Sequence, residues 1–308
     1  MTTALVFVLA GLAGTSSLAG GEGGPAVSST NAKISIEGGS LGGSGAGLGL
    51  GSITAPLSDT LGVQFDGAVG SADRNLMFGG GVHLFARDPS RYLIGAYASL
   101  HTWEGIDVWR AAGEFELYGD RISFNGLAGV EGVQYPSFWN GQPVTNQSST
   151  HFFGQADLAY YPTDNLLLSG GVKYVNQTVL GTANAEYLLQ PGSATPVSVF
   201  VDTQFGQGNY QQFMAGVRAY LNGGGAKSLL ARHRTDDPPN YTPVFSQLVV
   251  AGPSLCVHDV DDKNPCTTDT CDPQTGRAIH TQVSCDDGDS TTMDTCNPIR
   301  GCVHTVVQ

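Results

Sequence analysis

Charge is scarce in this chain, and most of it has one sign. Lys and Arg number 14 against 27 Asp and Glu, a formal net charge of −13 over 308 residues. No cluster of bases is available to neutralise phosphates, which excludes nucleic acid as a partner. No apolar run reaches the roughly 18 residues a spanning helix needs. Cysteine is absent from the long first part of the chain; all six lie between Cys256 and Cys302. The 43 glycines follow no three-residue period, which excludes a collagen-like rod. A catalytic constellation is missing as well. His83, His101 and His151 stand apart with no supporting motif, so no enzyme is expected.

What is present is alternation. In Leu76–Leu100, Leu76, Phe78, Val82 and Leu84 fall on one face, while Met77, His83 and Phe85 fall on the other. Asp88-Pro89-Ser90-Arg91 breaks the run, and a second alternation follows from Tyr92. Two period-two runs around a tight turn make a hairpin. Runs of about ten residues also match the length of a tilted membrane strand. Further runs are expected from Asn31, up to Thr54 after the Gly38–Gly45 stretch, and over Thr60–Gly70, Val108–Gly119, Arg121–Tyr135 and His151–Tyr161. Leu166–Asn176, Thr182–Gln190, Val197–Phe205 and Tyr210–Leu221 complete the set. The expected fold class is all-β: an antiparallel up-and-down transmembrane barrel of about twelve strands over residues 31–222.

Parity assigns the faces. Phe65, Leu84, Trp109, Phe115 and Val199 should meet lipid. The lumen should carry the acids Glu37, Asp66, Glu114, Glu116, Glu131, Asp157, Glu186 and Asp202 against the bases Lys33, Arg110, Lys173 and Arg218. An open pore lined this way would mildly prefer cations and pass small solutes; a salt-bridged interior would instead hold a closed barrel together. Arg110 is the expected ion-pair partner of the neighbouring Glu114 and Glu116. Connections after Thr54, Ala86, Tyr118, Tyr161 and Gln190 read as tight turns, and the longest loops as lying on the other side. In outer-membrane barrels the short turns are periplasmic. The chain resembles a bacterial outer-membrane, porin-like family in this pattern and in its closing strand, Gln212–Leu221. The resemblance implies outer-membrane lipid as a partner and, with an even strand count, both barrel ends on the periplasmic side.

The flanks read differently. Ala4–Gly14 is a short apolar run followed by Ser17-Leu18-Ala19, the pattern of an export signal over residues 1–19, although no Lys or Arg precedes it. Residues 20–30 are expected as a flexible leader. Residues 223–252 are expected as a linker, with Lys227, Arg232, His233 and Arg234 either solvated or near lipid headgroups and a short strand-like run at Thr242–Ala251. Residues 253–308 form a cysteine-rich module. Asp261–Pro273 and Asp286–Pro298 align as two copies, 25 residues apart. With the Cys266–Asp272 core and the Gly301–Thr305 ending, they resemble the slime-mould CTDC cysteine-rich repeat. Each copy departs from that pattern by one lost cysteine: the first has Arg277 after Gly276 where the pattern wants one, and the second has Thr291 where the first has Cys266.

Cys256, Cys266, Cys271, Cys285, Cys296 and Cys302 make an even set suited to disulfides in an exported protein. One arrangement pairs Cys256 with Cys271 and Cys285 with Cys296, leaving Cys266 and Cys302 to bridge the copies; a zinc site is the rival use of clustered Cys and His. Asp261, Asp262, Asn264 and Asp269 recur as Asp286, Asp287, Asp289 and Asp294. Such oxygens suit Ca²⁺, the expected cofactor, or else Asx turns. The tail would then be a structural or binding module for an envelope or extracellular ligand.

Overall fold

The computed structural model describes residues 24–72, 75–103, 105–139, 142–143, 148–175, 177–206, 210–222, 227–241, 261–272 and 277–307. The export signal, the Thr242–Ala251 run and Cys256 lie outside these.

Twelve strands close into one antiparallel barrel. In chain order they are β1 (Asn31–Leu41), β2 (Ser44–Pro56), β3 (Leu61–Ala72), β4 (Asn75–Asp88), β5 (Tyr92–Trp103), β6 (Ile106–Tyr118) and β7 (Ile122–Gln134). A small ladder of β8 (Phe138–Trp139) and β9 (Gln142–Pro143) interrupts the series. The barrel resumes with β10 (Ser148–Thr163), β11 (Leu166–Val175), β12 (Thr178–Leu188), β13 (Val197–Gly206) and β14 (Gln211–Asn222). Each barrel strand pairs with its neighbour, β7 pairs with β10, and β1 closes on β14 from Asn31↔Asn222 to Leu41↔Gln212. Closure leaves no unpaired edge, the condition a sheet must meet in hydrocarbon.

The distribution of side chains decides between a soluble and a membrane barrel. Ile36 and Leu100 are each 68 % exposed and Phe65 59 %, whereas His83 and Glu131 are fully buried and Arg110 is 4 % exposed. Apolar groups outside and charges inside is the inverse of a soluble core. Residues 31–222 are therefore a transmembrane antiparallel β-barrel. No helix among the described residues is long and apolar enough to cross a membrane.

The connections differ from expectation. On the rim carrying Asn31 and Asn222 they span residues 57–60, 89–91, 119–121, 164–165 and 189–196. On the distal rim they are shorter: 42–43, 73–74, 104–105, 176–177 and 207–210, with 135–147 alone long. The glycine-rich stretch expected between the first two strands belongs to the strands themselves. The turn contracts to Gly42 and Gly43, both at positive φ as a two-residue hairpin requires. Loop length therefore no longer orients the barrel in its membrane.

The flanking segments also differ from expectation, because both pack onto the proximal rim. Ala26 and Val27 are buried, Val27 against Phe85 and Leu93, with Arg87 Nη1 donating to the Ala26 carbonyl at 3.2 Å. Residues 227–241 carry α1 (Leu229–Thr235), N-capped by Ser228, whose hydroxyl accepts from Ala231 N. Leu229 is buried among Ala159, Tyr161, Leu167, Leu188 and Tyr220.

The tail holds two hairpins: β15 (Thr267–Cys271) with β16 (Ala278–Gln282), and β17 (Thr292–Asn297) with β18 (Gly301–Val306).

Candidate functional site: the lumen and the tail

The twelve charged residues assigned to the lumen by parity all lie on inward strand positions; several pair with one another or with residues 227–241, and others meet neutral neighbours. Arg110 donates to Glu131 Oε2 from Nε and Nη2, at 3.2 and 2.8 Å, and stacks over Phe153. Arg218 Nη1 donates to Glu186 Oε2 at 2.5 Å, while Glu186 Oε1 accepts from Ser198 and Tyr220. Asp157 accepts from Thr182 and Gln155. Lys173 Nζ reaches Gln204 Oε1 at 3.5 Å, and Gln204 in turn reaches Asp202. Glu116 accepts from Tyr118.

The expected partnership of Arg110 with Glu114 and Glu116 is corrected by register. The β6–β7 ladder sets Arg110 directly opposite Glu131. Glu114 reaches instead across β5 to His83. A Cβ at Gly95 would stand 2.8 Å from Glu114 Oε1, so only glycine leaves that path open. His83 Nδ1 then meets Glu114 Oε2 at 2.7 Å and Nε2 meets Asp66 Oδ2 at 2.9 Å. Both ring nitrogens are engaged by carboxylates, so neither is free to serve as base to a hydroxyl. His83 shares the inward parity of Asp66 and Glu114, a signal available in the sequence and missed there.

Residues 227–241 enter this network rather than forming a solvated linker. Lys33 Nζ contacts Asp237 and donates to the Pro238 carbonyl at 2.9 Å. Asn240 donates to Ser52 Oγ, and Tyr241 packs beside His83 and Tyr97. His233 lies 3.0 Å from Tyr161 OH and 3.9 Å from Glu186. Its burial holds the imidazole below its ordinary value. Lys227, Arg232 and Arg234, read from the sequence as solvated or near headgroups, are turned inward: Lys227 pairs with Asp236, and Arg232 and Arg234 lie over the rings of Tyr220 and Tyr118. A polar cavity of about 240 Å³ remains between this segment and the wall, bordered by Lys33, Glu37, Asp202 and Arg218 among others.

Toward the distal rim the lumen also holds an apolar layer among its polar groups. Leu41, Leu48, Met77, Trp103, Ile106, Val108, Val133, Val175, Leu180 and Met214 form one buried cluster there.

In the tail, Cys266 bonds Cys296 and Cys285 bonds Cys302, and Cys271 is also disulfide-bonded. The bridge between copies and the bridge within the second copy thus exchange Cys296 and Cys302 relative to the expected pairing. Cys296 and Cys302 face each other across β17–β18, yet each bonds a cysteine outside that ladder. No described cysteine is left as a thiolate for zinc.

The paired Asp and Asn sets serve two roles. Asp261, Asn264, Asp286 and Asp289 accept backbone N–H groups two residues on, as Asx turns. Asp262 and Asp287 accept such N–H groups too, and with their other oxygens Asp262 gathers with Asp269 and His280 and Asp287 with Asp294 and His304, each set having one donor atom per residue within 4.8 Å of the others. The two histidines were not among the expected ligands. Hydrogen bonds between the partners hold Asp269 and Asp294 below the usual carboxylate range and raise His280 and His304.

Residues 259–283 and 284–307 each match the family described as Dictyostelium (slime mold) repeat. No curated protein matches the sequence. Among solved structures, the KdgM porin is 11 % identical, with a TM-score of 0.41, over 60 % of this chain and 97 % of that one. An outer membrane channel from Pseudomonas putida F1 is 10 % identical, with a TM-score of 0.44, over 63 % and 95 %. Outer membrane phospholipase A from Escherichia coli is 12 % identical, with a TM-score of 0.37, over 63 % and 92 %. The barrel is similar to these, and the tail to the repeat.

Proposed function

We propose that this protein is an outer-membrane barrel that anchors and presents its cysteine-rich tail, and that in this state it does not conduct. One observation carries the reading: the lumen is occupied along its length. An apolar layer lies toward the distal rim, ion pairs line the inner wall, and residues 227–241 cap the proximal rim. A barrel of this strand number can be filled by its own side chains. The even strand count supports placing both barrel ends on one side of the membrane, which we assign to the periplasm. The module would meet its ligand from there.

The experiment is single-channel recording of the folded full chain in planar bilayers. We expect a silent membrane; steady conductance by the intact chain would overturn the anchor reading. The residual polar cavity favours a second reading, a pore that opens when the cap leaves. Current appearing only after residues 227–241 are deleted would support it. Such a current should prefer cations, because eight acids face four bases, and neutralising Glu114, Glu116 and Asp202 together should shift its reversal potential toward anions.

A further inference from the structure

The two tail hairpins repeat more than their cysteines. Asp269 stands directly opposite His280 across β15–β16, and Asp294 directly opposite His304 across β17–β18. His280 Nδ1 lies 2.7 Å from Asp269 Oδ1 and 3.5 Å from Asp262 Oδ2. The equivalent distances at His304 are 2.7 Å to Asp294 and 3.2 Å to Asp287. Each set is held from behind as well. The N–H of Asp262 donates to Asp269 Oδ2 and that of Asp287 to Asp294 Oδ2, while Thr267 and Thr292 donate to the inner oxygen of Asp262 and Asp287. In each copy one oxygen per carboxylate is thereby fixed on the scaffold, and the other is aimed at the imidazole. The two copies build this arrangement independently and arrive at the same geometry.

We propose that each hairpin is a binding site for one divalent cation of the zinc class, held by Asp262, Asp269 and His280 in the first copy and by Asp287, Asp294 and His304 in the second. The donor set selects the class. One imidazole nitrogen with two carboxylate oxygens suits Zn²⁺ or Co²⁺, whereas Ca²⁺ takes about six to eight oxygens and no nitrogen. Three protein ligands on an exposed hairpin leave a coordination position for water or for a ligand's donor atom. The cation would take the place of the Nδ1 proton that now lies between the carboxylates. The N–H and hydroxyl donors behind these carboxylates already orient them for ligation. The inference rests on the tail being the binding module and is independent of whether the barrel conducts.

The test is titration of the full chain, oxidised and folded in detergent micelles, with Co²⁺ read by its visible absorption and then displaced by Zn²⁺. Two equivalents should bind. His280→Gln should remove one and His280→Gln/His304→Gln both, while Asp261→Asn/Asp286→Asn should keep two. Disulfide mapping of each variant checks that the hairpins remain stapled. Three results would each overturn the assignment: cobalt binding unchanged in the double histidine variant, no binding at millimolar Co²⁺, or Ca²⁺ binding at these carboxylates with Co²⁺ excluded.

Discussion

At the scale of single residues, the membrane reverses the usual meaning of a substitution. Phe65 faces lipid and Gln64, its neighbour in β3, faces the lumen, where it accepts from Thr54 and donates to Asp66. Arginine in place of Phe65, Leu84 or Val199 should weaken folding into bilayers by about 2–4 kcal/mol each, the cost of a charge near the midplane. Urea titration in lipid vesicles measures it, and an equal cost at Gln64 would contradict the assigned faces. The inverse experiment concerns a buried charge. Glu131→Ala strands the Arg110 guanidinium and should cost about 3–5 kcal/mol. Arg110→Met combined with Glu131→Leu should recover most of that loss, because the penalty comes from the uncompensated ion. The lumen residues were legible in the sequence because strand parity has period two. Their partners were not, because Arg110 meets Glu131 and Glu114 meets His83 through registers between strands.

At the scale of elements, α1 and the segment after it are the least expected feature. The seven-residue helix is too short to persist alone. It is held by the burial of Leu229 and by polar contacts inside the barrel mouth. Leu229→Ala should cost about 2–5 kcal/mol of docking, as buried leucine truncations do. A spin label at Ala231 reports this as a mobile component. Acid should release the segment as well. When docked, His233 faces Glu186, Asp237, Lys33 and Arg218, and burial keeps its value below the ordinary 6.5. The undocked state therefore binds the proton more readily, and docking loses stability as pH falls through that value. The label's mobile fraction should rise between about pH 7 and pH 5 and stay flat in His233→Gln. A linker composition in the sequence concealed all of this. Nothing in Lys227–Tyr241 marks it as lumenal until the acids and aromatics of distant strands are placed around it.

At the scale of the whole molecule, two stabilising principles meet in one chain. The barrel is held by a closed ladder and has no cysteine, while the tail has few buried apolar groups and depends on its bridges. Each disulfide should contribute about 2–4 kcal/mol. Reduction should therefore unfold the tail while the barrel keeps its β signal and heat-modifiable migration. Mass mapping of the oxidised chain should recover the Cys266–Cys296 and Cys285–Cys302 peptides.

The twelve strands, the lipid and lumen faces and the repeat boundaries were determined by the sequence alone. Each depends on a local period, two residues in the barrel and 25 in the tail, and a local period is visible in one dimension. Tertiary structure decided what fills the barrel, which charges pair, and which cysteines join. It also brought His280 and His304 against the Asp pairs that the sequence showed only as oxygens. These outcomes depend on which distant residues closure and strand pairing bring opposite one another, a choice made in three dimensions by register and burial.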